Sequence, residues 1–315
     1  MKTILCIGSV TTDVIVTPAD TVPEPGTLRA VEGVTTHVGG CAANAAIDLA
    51  KLGVPVLLSC KVGMDNYGEY IKKTASAYGV DITGIVEDGS VSTTVSIVCV
   101  HSDGERSFLY QPGSAAAFTE SNISDDLLNK CDIVFVAGAM LLTDFDGEPC
   151  ARLLQRAKKL GKYTVMDTAW DFEDLWLSKI AAAIPFVDLF MPSYEEAVKL
   201  SGEKEVCRIA DFFLNMGAKN VIIKIGKDGA YVCEHSGERY TLPTYAQIKP
   251  VDTTGAGDAF CSGVLCGLAQ DWNYRESARL GNAVGTHCIM SIGASTGIRP
   301  LPEILQFMDE NRESL

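Results

Sequence analysis

A chain of 315 residues, 47% hydrophobic and 21% charged, can bury a large core and has the balance of a globular protein. Its 26 basic and 40 acidic residues give a formal charge of −14 without any Lys/Arg cluster, which argues against nucleic acid or an anionic membrane as partner. No run approaches the roughly eighteen uninterrupted apolar residues of a membrane span.

The apolar run 3–8 stops at Gly8-Ser9 and meets Asp13, so it predicts a first β-strand and not a signal peptide. Residues 11–37 hold Thr, Val and Pro with no helical period. The spacing then predicts helices at 41–52 and 68–78, around a strand at 54–60. Residues 91–110 read as a hairpin turning near Gly104. Further strands are expected at 132–137, 163–167, 188–191 and 221–225, and helices at 149–160, 194–201, 206–216, 258–270, 274–290 and 302–310. Strand and helix alternating at this spacing imply an α/β fold with a mostly parallel, doubly wound sheet covered on both faces. The two segments that break the rhythm, about 11–37 and 91–112, are assigned to a small separate β-sheet within one domain spanning 1–315. The eleven cysteines form no Cys-x-x-Cys pair, and six of them sit inside apolar runs, as buried free thiols of a reducing cytosol would. His37, His101, His235 and His287 show no metal-ligand spacing.

Residues 252–260 (Asp-Thr-Thr-Gly-Ala-Gly-Asp-Ala-Phe) carry the most chemistry. Gly255, Ala256 and Gly257 at the mouth of a helix leave backbone N–H groups free to face an anion, with the helix dipole behind them. An aspartate in that same turn, Asp258, repels a lone anion. It makes sense as a base that takes the proton of a hydroxyl attacking a phosphoryl group held by those amides. Taken alone it would only stabilise the helix dipole. There is no Gly-x-x-x-x-Gly-Lys-[Ser/Thr] loop.

This stretch resembles the C-terminal signature of the ribokinase-like carbohydrate kinases, the PfkB family. Gly39-Gly40-Cys41-Ala42-Ala43-Asn44-Ala45-Ala46 resembles the family's N-terminal glycine-pair signature. Gly8 to Asp13, Gly63-Met64-Asp65 and the loop 293–297 also fit, so the resemblance spans nearly the whole chain. It implies transfer of the γ-phosphate of Mg-ATP to a hydroxymethyl group of a monosaccharide. Asp258 would be the base and Gly255–Gly257 the anion hole. Asp13, Gly39, Gly40 and Asn44 would hold the sugar, with Arg106 reaching it from a β lid that also forms a homodimer contact. Ser193, Glu196, Lys224, Gly226, Gly229 and Asn282 would serve ATP, with Glu196 meeting Mg2+ through water. Asp252, Thr254 and Gly293 would belong to a monovalent-cation (K+) site.

Ser193 with Glu196 three residues on also reads as a helix capping box. The family pattern carries Asn where this chain has Ser193. Cys41 stands where ribokinases carry Lys, and no acid follows the strand at 132–137 until Asp144, so ribose is not singled out. A nucleoside kinase and a non-catalytic sugar-sensing homologue remain as alternatives on the same fold.

Overall fold

The computed structural model describes residues 1–103, 105–245 and 247–312; Gly104, at the expected hairpin turn, lies outside them. Strand β1 (Ile4–Gly8) is an apolar run buried on both faces, as the centre of a parallel sheet requires. The chain continues through β2 (Thr11–Thr17), β3 (Gly33–Gly39), α1 (Cys41–Lys51), β4 (Val56–Gly63), α2 (Asn66–Ala77) and β5 (Asp81–Asp88). Next come β6 (Val95–Val100), β7 (Arg106–Gln111), the short α3 (Gly113–Ala116) and α4 (Asp125–Asn129), β8 (Ile133–Ala139), α5 (Glu148–Lys159) and β9 (Tyr163–Thr168). Then follow α6 (Leu177–Ile180), β10 (Leu189–Phe190), α7 (Tyr194–Ser201), α8 (Val206–Asn215), β11 (Asn220–Lys224), β12 (Ala230–Cys233) and β13 (Arg239–Leu242). The last three elements are α9 (Ala256–Ala269), α10 (Tyr274–Ile289) and α11 (Leu301–Glu310).

Among the described residues, nine strands form one sheet in the order β13-β12-β11-β10-β9-β8-β1-β4-β5, parallel except for the β11-β12-β13 edge. Successive side chains of β1 enter different cores. Ile4 and Cys6 pack with the helices α1, α9 and α10, whereas Leu5 and Ile7 pack with α5 and α8. The sheet is therefore covered on both faces. From β1 the chain winds to β4 and β5 on one side, then crosses to β8 and winds the other way. That reversal opens a crevice beyond the carboxyl ends of β1 and β8, the usual ligand position of such sheets.

Helices α1 and α9 flank the crevice, and their small residues explain how closely they fit. Ala42, Ala43, Ala45 and Ala46 of α1 are fully buried. A Cβ at Gly263 of α9 would come within 2.7 Å of the Gly281 backbone in α10, so those two helices cross almost backbone to backbone. All eleven cysteines are free thiols, Cys207 being the exposed one. No helix among the described residues is long and apolar enough to cross a membrane.

The smaller sheet has the order β3-β2-β6-β7. Its strands fall within the two segments that break the strand–helix alternation, except that β3 runs two residues further, to Gly39, and β6 and β7 pair as an antiparallel hairpin. Asp13, Ser96 and Tyr110 lie side by side on one face, across β2, β6 and β7. Val14, Ile97 and Leu109 lie side by side on the other, next to the Val16–Val34 pair. On this second face Val34, Ile97 and Leu109 are exposed.

The structure adds elements that the sequence pattern does not separate: β5, the antiparallel β12 and β13, and the short helices α3, α4 and α6. It also shortens the strand expected at 188–191 to Leu189–Phe190.

Candidate active site

Three helix N-termini converge beyond the carboxyl ends of the parallel strands. Helix α1 begins after Gly40, whose φ of 89° is a left-handed value open to glycine; a Cβ there would strike the Ser9 carbonyl oxygen at 2.6 Å. Helix α9 begins after Gly255, with φ 77° and the same steric demand against Ala294. Helix α7 begins after Ser193, and the expected capping box is present: the Ser193 N–H donates to Glu196 Oε2 at 3.1 Å. Unpaired N–H groups and aligned dipoles thus face one cleft.

Asp258 sits in the first turn of α9. Its Oδ2 accepts from Asn44 Nδ2 of α1 at 2.8 Å, which joins the two glycine-rich stretches. The Cys41 thiol lies beside this carboxylate and lines the same cavity. Burial pushes the Asp258 carboxyl above the ordinary carboxylate range, against the lowering pull of Asn44, Lys224 and Cys41. Burial likewise pushes the Cys41 thiol well up, so it stays protonated. Cys41 packs on Gly138, where a Cβ would lie 2.6 Å from its sulfur.

A second acid group lies across the turn. Lys224, at the end of β11, donates to buried Asp167 Oδ1 at 2.6 Å. Burial opposes the lysine charge, but Asp167, Cys261 and Glu196 outweigh it and raise its pKa. Burial raises Asp167 as well, opposed by Lys224 and reinforced by Glu196. Glu196 Oε2 accepts from the Thr168 hydroxyl at 2.8 Å. Asp167 and Thr168 were not picked out by sequence as site residues. The available signal was an acid closing a predicted strand at the carboxyl edge of a parallel sheet.

Two cavities meet here. One, ≈ 500 Å³, is lined by Gly226, Gly229, Tyr245, Phe260 and Asn282 among others. The other, ≈ 340 Å³, holds Cys41, Asp167, Trp170, Glu196 and Asp258. Lys224, Ala256 and Gly257 line both. The Asn282 amide donates to the Leu242 and Pro243 carbonyls at 3.2 and 2.9 Å, so it braces the wall of the larger cavity.

Asp13 stands at the inner face of the small sheet, beside Gly39. A Cβ on Gly39 would lie 2.1 Å from its Oδ2, so only glycine lets the carboxylate lie against the strand. Burial pushes Asp13 up, against the Thr11 hydroxyl at 2.7 Å and nearby His37.

Arg106, on β7, reaches across to the α9 turn. Its guanidinium pairs with Asp252 Oδ1 at 3.0 Å and donates to the Thr254 hydroxyl. Asp252 also accepts the Thr254 and Gly293 N–H groups, each at 2.9 Å. Burial raises that carboxyl, but these N–H groups, the Thr254 hydroxyl and the arginine outweigh it and hold it below the usual range. Asp252, Thr254 and Gly293 are therefore gathered in one place, around an arginine. Asp144 is exposed, and the acid turned inward after β8 is Asp146, which accepts the Met140 and Leu142 N–H groups.

The pattern of the pfkB family carbohydrate kinases matches residues 1–300. The chain is 26% identical over 298 residues to the 2-dehydro-3-deoxygluconokinase of Bacillus subtilis (strain 168), covering 92% of each. It is 29% identical over 280 residues to the aminoimidazole riboside kinase of Salmonella typhimurium, covering 85% of this chain and 86% of that one. Its fold is similar to that of the Arabidopsis thaliana ribokinase solved with ribose and ATP. The TM-score there is 0.87, with 21% identity and 98% of each chain covered.

Proposed function

The chain belongs to the pfkB family of carbohydrate kinases, and from this premise we infer how its own residues transfer a phosphoryl group to a sugar alcohol. One observation carries the reading. Asp258 and the free N–H groups of Gly255 and Gly257 share a single turn, where the two cavities meet.

In this reading the larger cavity takes the nucleotide, and the α9 turn receives the γ-phosphate on backbone N–H groups aimed at its developing charge. Lys224 adds a fixed positive charge, held in place by Asp167. The acceptor lies between Asp13 and Asp258, its hydroxymethyl oxygen directed at the carboxylate. As the oxygen bonds to phosphorus and ADP leaves, its proton passes to Asp258, which Asn44 orients. Mg2+ fits the donors present, since Glu196 and Asp167 offer oxygen only and lie beside the phosphate turn; they would hold it through water, and it would neutralise β/γ-phosphate charge.

A monovalent cation fits less well. Both Asp252 oxygens are engaged, and the guanidinium of Arg106 already supplies a positive charge there. Arg106 then serves as a tie between small sheet and phosphate turn, with the small sheet acting as a lid. The exposed Val34, Ile97 and Leu109 suit a homodimer formed through the outer face of that lid. Sedimentation of wild type as a dimer, and of Leu109→Asp as a monomer, would support it; a monomeric wild type would end it.

The experiment for the central claim is ADP release across pentoses, hexoses, keto-acids and nucleosides, with Asp258→Asn as control. Ligand binding without any turnover would favour a sensor over an enzyme.

A further inference from the structure

Resting on the kinase reading above, we propose that the acceptor is uncharged and carries a planar aromatic group beyond its sugar ring, as a nucleoside or an aryl riboside does.

The first ground is charge. Lys227 lines the larger, nucleotide cavity, but the cations on the acceptor side of the cleft are committed to protein carboxylates. Arg106 is on Asp252, and Lys224 is on Asp167. Lys179, whose ammonium lies 5.4 Å from the Phe172 ring centroid, pairs with Asp171 at 2.8 Å and Glu173 at 2.6 Å. What faces the acceptor is Asp13 at one end and Asp258 at the other. A sugar acid or sugar phosphate would meet two carboxylates and, among the described residues of these walls, no free cation.

The second ground is the aromatic rim. Tyr110 sits two strands away from Asp13 on the inner face of the small sheet, about 9.5 Å across the hydrogen-bonding direction. That is further than a sugar ring alone reaches. From the opposite wall, in the loop after β9, Phe172 comes to 6.1 Å from the Tyr110 ring centroid. Trp170, in the same loop, lines the cavity that holds Asp258 and is braced edge-on by Trp176 at 4.9 Å. Tyr110, Phe172 and Trp170 remain 39%, 56% and 54% exposed, although each is held by an aromatic neighbour. They do not belong to the outer apolar face, because Tyr110 is in register with Asp13 and not with Val14. Aromatic faces fixed at a cleft mouth stack planar rings at little entropic cost. With the hydroxymethyl at Asp258 and the ring hydroxyls at Asp13, the Tyr110–Phe172 side is left for whatever the sugar carries.

The test measures ADP release with purine and pyrimidine ribonucleosides, an aryl riboside, ribose, fructose and a sugar acid, each at matched concentrations. The best nucleoside or aryl riboside should exceed ribose in kcat/KM. Phe172→Ala should lower that nucleoside-to-ribose ratio by about 5–150-fold, the worth of one base stacked on an aromatic ring, mainly through KM. Ribose, fructose or the sugar acid outperforming every nucleoside overturns the proposal while leaving the kinase intact. A nucleoside preference that survives both Phe172→Ala and Tyr110→Ala overturns it too, since the rim would not be the seat. No ATP consumption with any acceptor would instead remove the underlying kinase reading, and the proposal with it.

Discussion

Replacing Asp258 by Asn tests the proposed chemistry most directly. The amide keeps the side chain's shape and an oxygen able to accept from Asn44 at the present 2.8 Å, so the α1–α9 contact should hold. What is lost is the proton acceptor, typically worth about 10²–10⁴-fold in rate, or about 2.7–5.4 kcal/mol of barrier. The N–H groups of the α9 turn are untouched, and a negative charge beside the phosphate disappears, so ATP affinity should stay level or rise. Burial raises the Asp258 carboxyl above its ordinary 3.8, and the ionised form is the working one. The acid limb of kcat/KM should therefore lie above that of an ordinary aspartate, and vanish in Asp258→Asn. Stability follows the same sign. A carboxyl raised in the fold favours folding fully when protonated, below its unfolded value, and loses that contribution as pH climbs through its folded value. At neutral pH the variant should accordingly melt at or above wild type. The assays are single-turnover ADP formation, calorimetric ATP binding and a melting curve at two pH values. Turnover above about a tenth of wild type, with chemistry rate-limiting, would mean that another group takes the proton.

Asp13→Asn should raise the acceptor KM more than Asp258→Asn does, because Asp13 is proposed to position the ring and not to accept the proton; steady-state kinetics of both variants decide the order. Gly255→Ala should cost more than about 1 kcal/mol of stability, since φ is 77° and the new Cβ would lie 2.5 Å from that of Ala294, and it should also raise the KM for ATP. Wild-type turnover should change less than about twofold between potassium and tetramethylammonium buffers, while Arg106→Ala should become slower and responsive to potassium as Asp252 loses its guanidinium. A potassium requirement in wild type would refute the proposed role of that arginine.

The main sheet was legible in the sequence because its central strands are buried on both faces. Runs such as Ile4–Gly8 and Ile133–Ala139 are apolar throughout, and that does not depend on which neighbours they find. Strand β5 was not legible for the converse reason. It lies at the sheet edge, Gly84 is its one buried residue, and its polar sequence has no period to betray it. Strands β12 and β13 have four residues each, and α3, α4 and α6 four or five, too short for a pattern to emerge.

The site divides along a different line. Within residues 252–258 the glycines, the helix start and the acid are fixed by one turn of backbone, so their mutual geometry can be read from spacing alone. The pairs that bring the site together are not local. Asn44 and Asp258 are 214 positions apart, Arg106 and Thr254 148, and Lys224 and Asp167 57. Each residue type could be flagged in isolation, but its partner depends on which elements pack together. Asn44 finds Asp258 because α1 and α9 run alongside one another closely enough for the Ser262 hydroxyl to reach the Ala45 carbonyl at 3.4 Å. That closeness is itself written in the alanines of α1, which are too small to hold the helices apart. The same logic explains Arg106. An arginine on a hairpin reads equally well as a substrate ligand or as a solvated charge, and only the fold of the small sheet over the α9 turn assigns it to Asp252. The order of two glycine-rich stretches along a chain is thus informative only because each opens a helix, and because helices lined with small residues must meet.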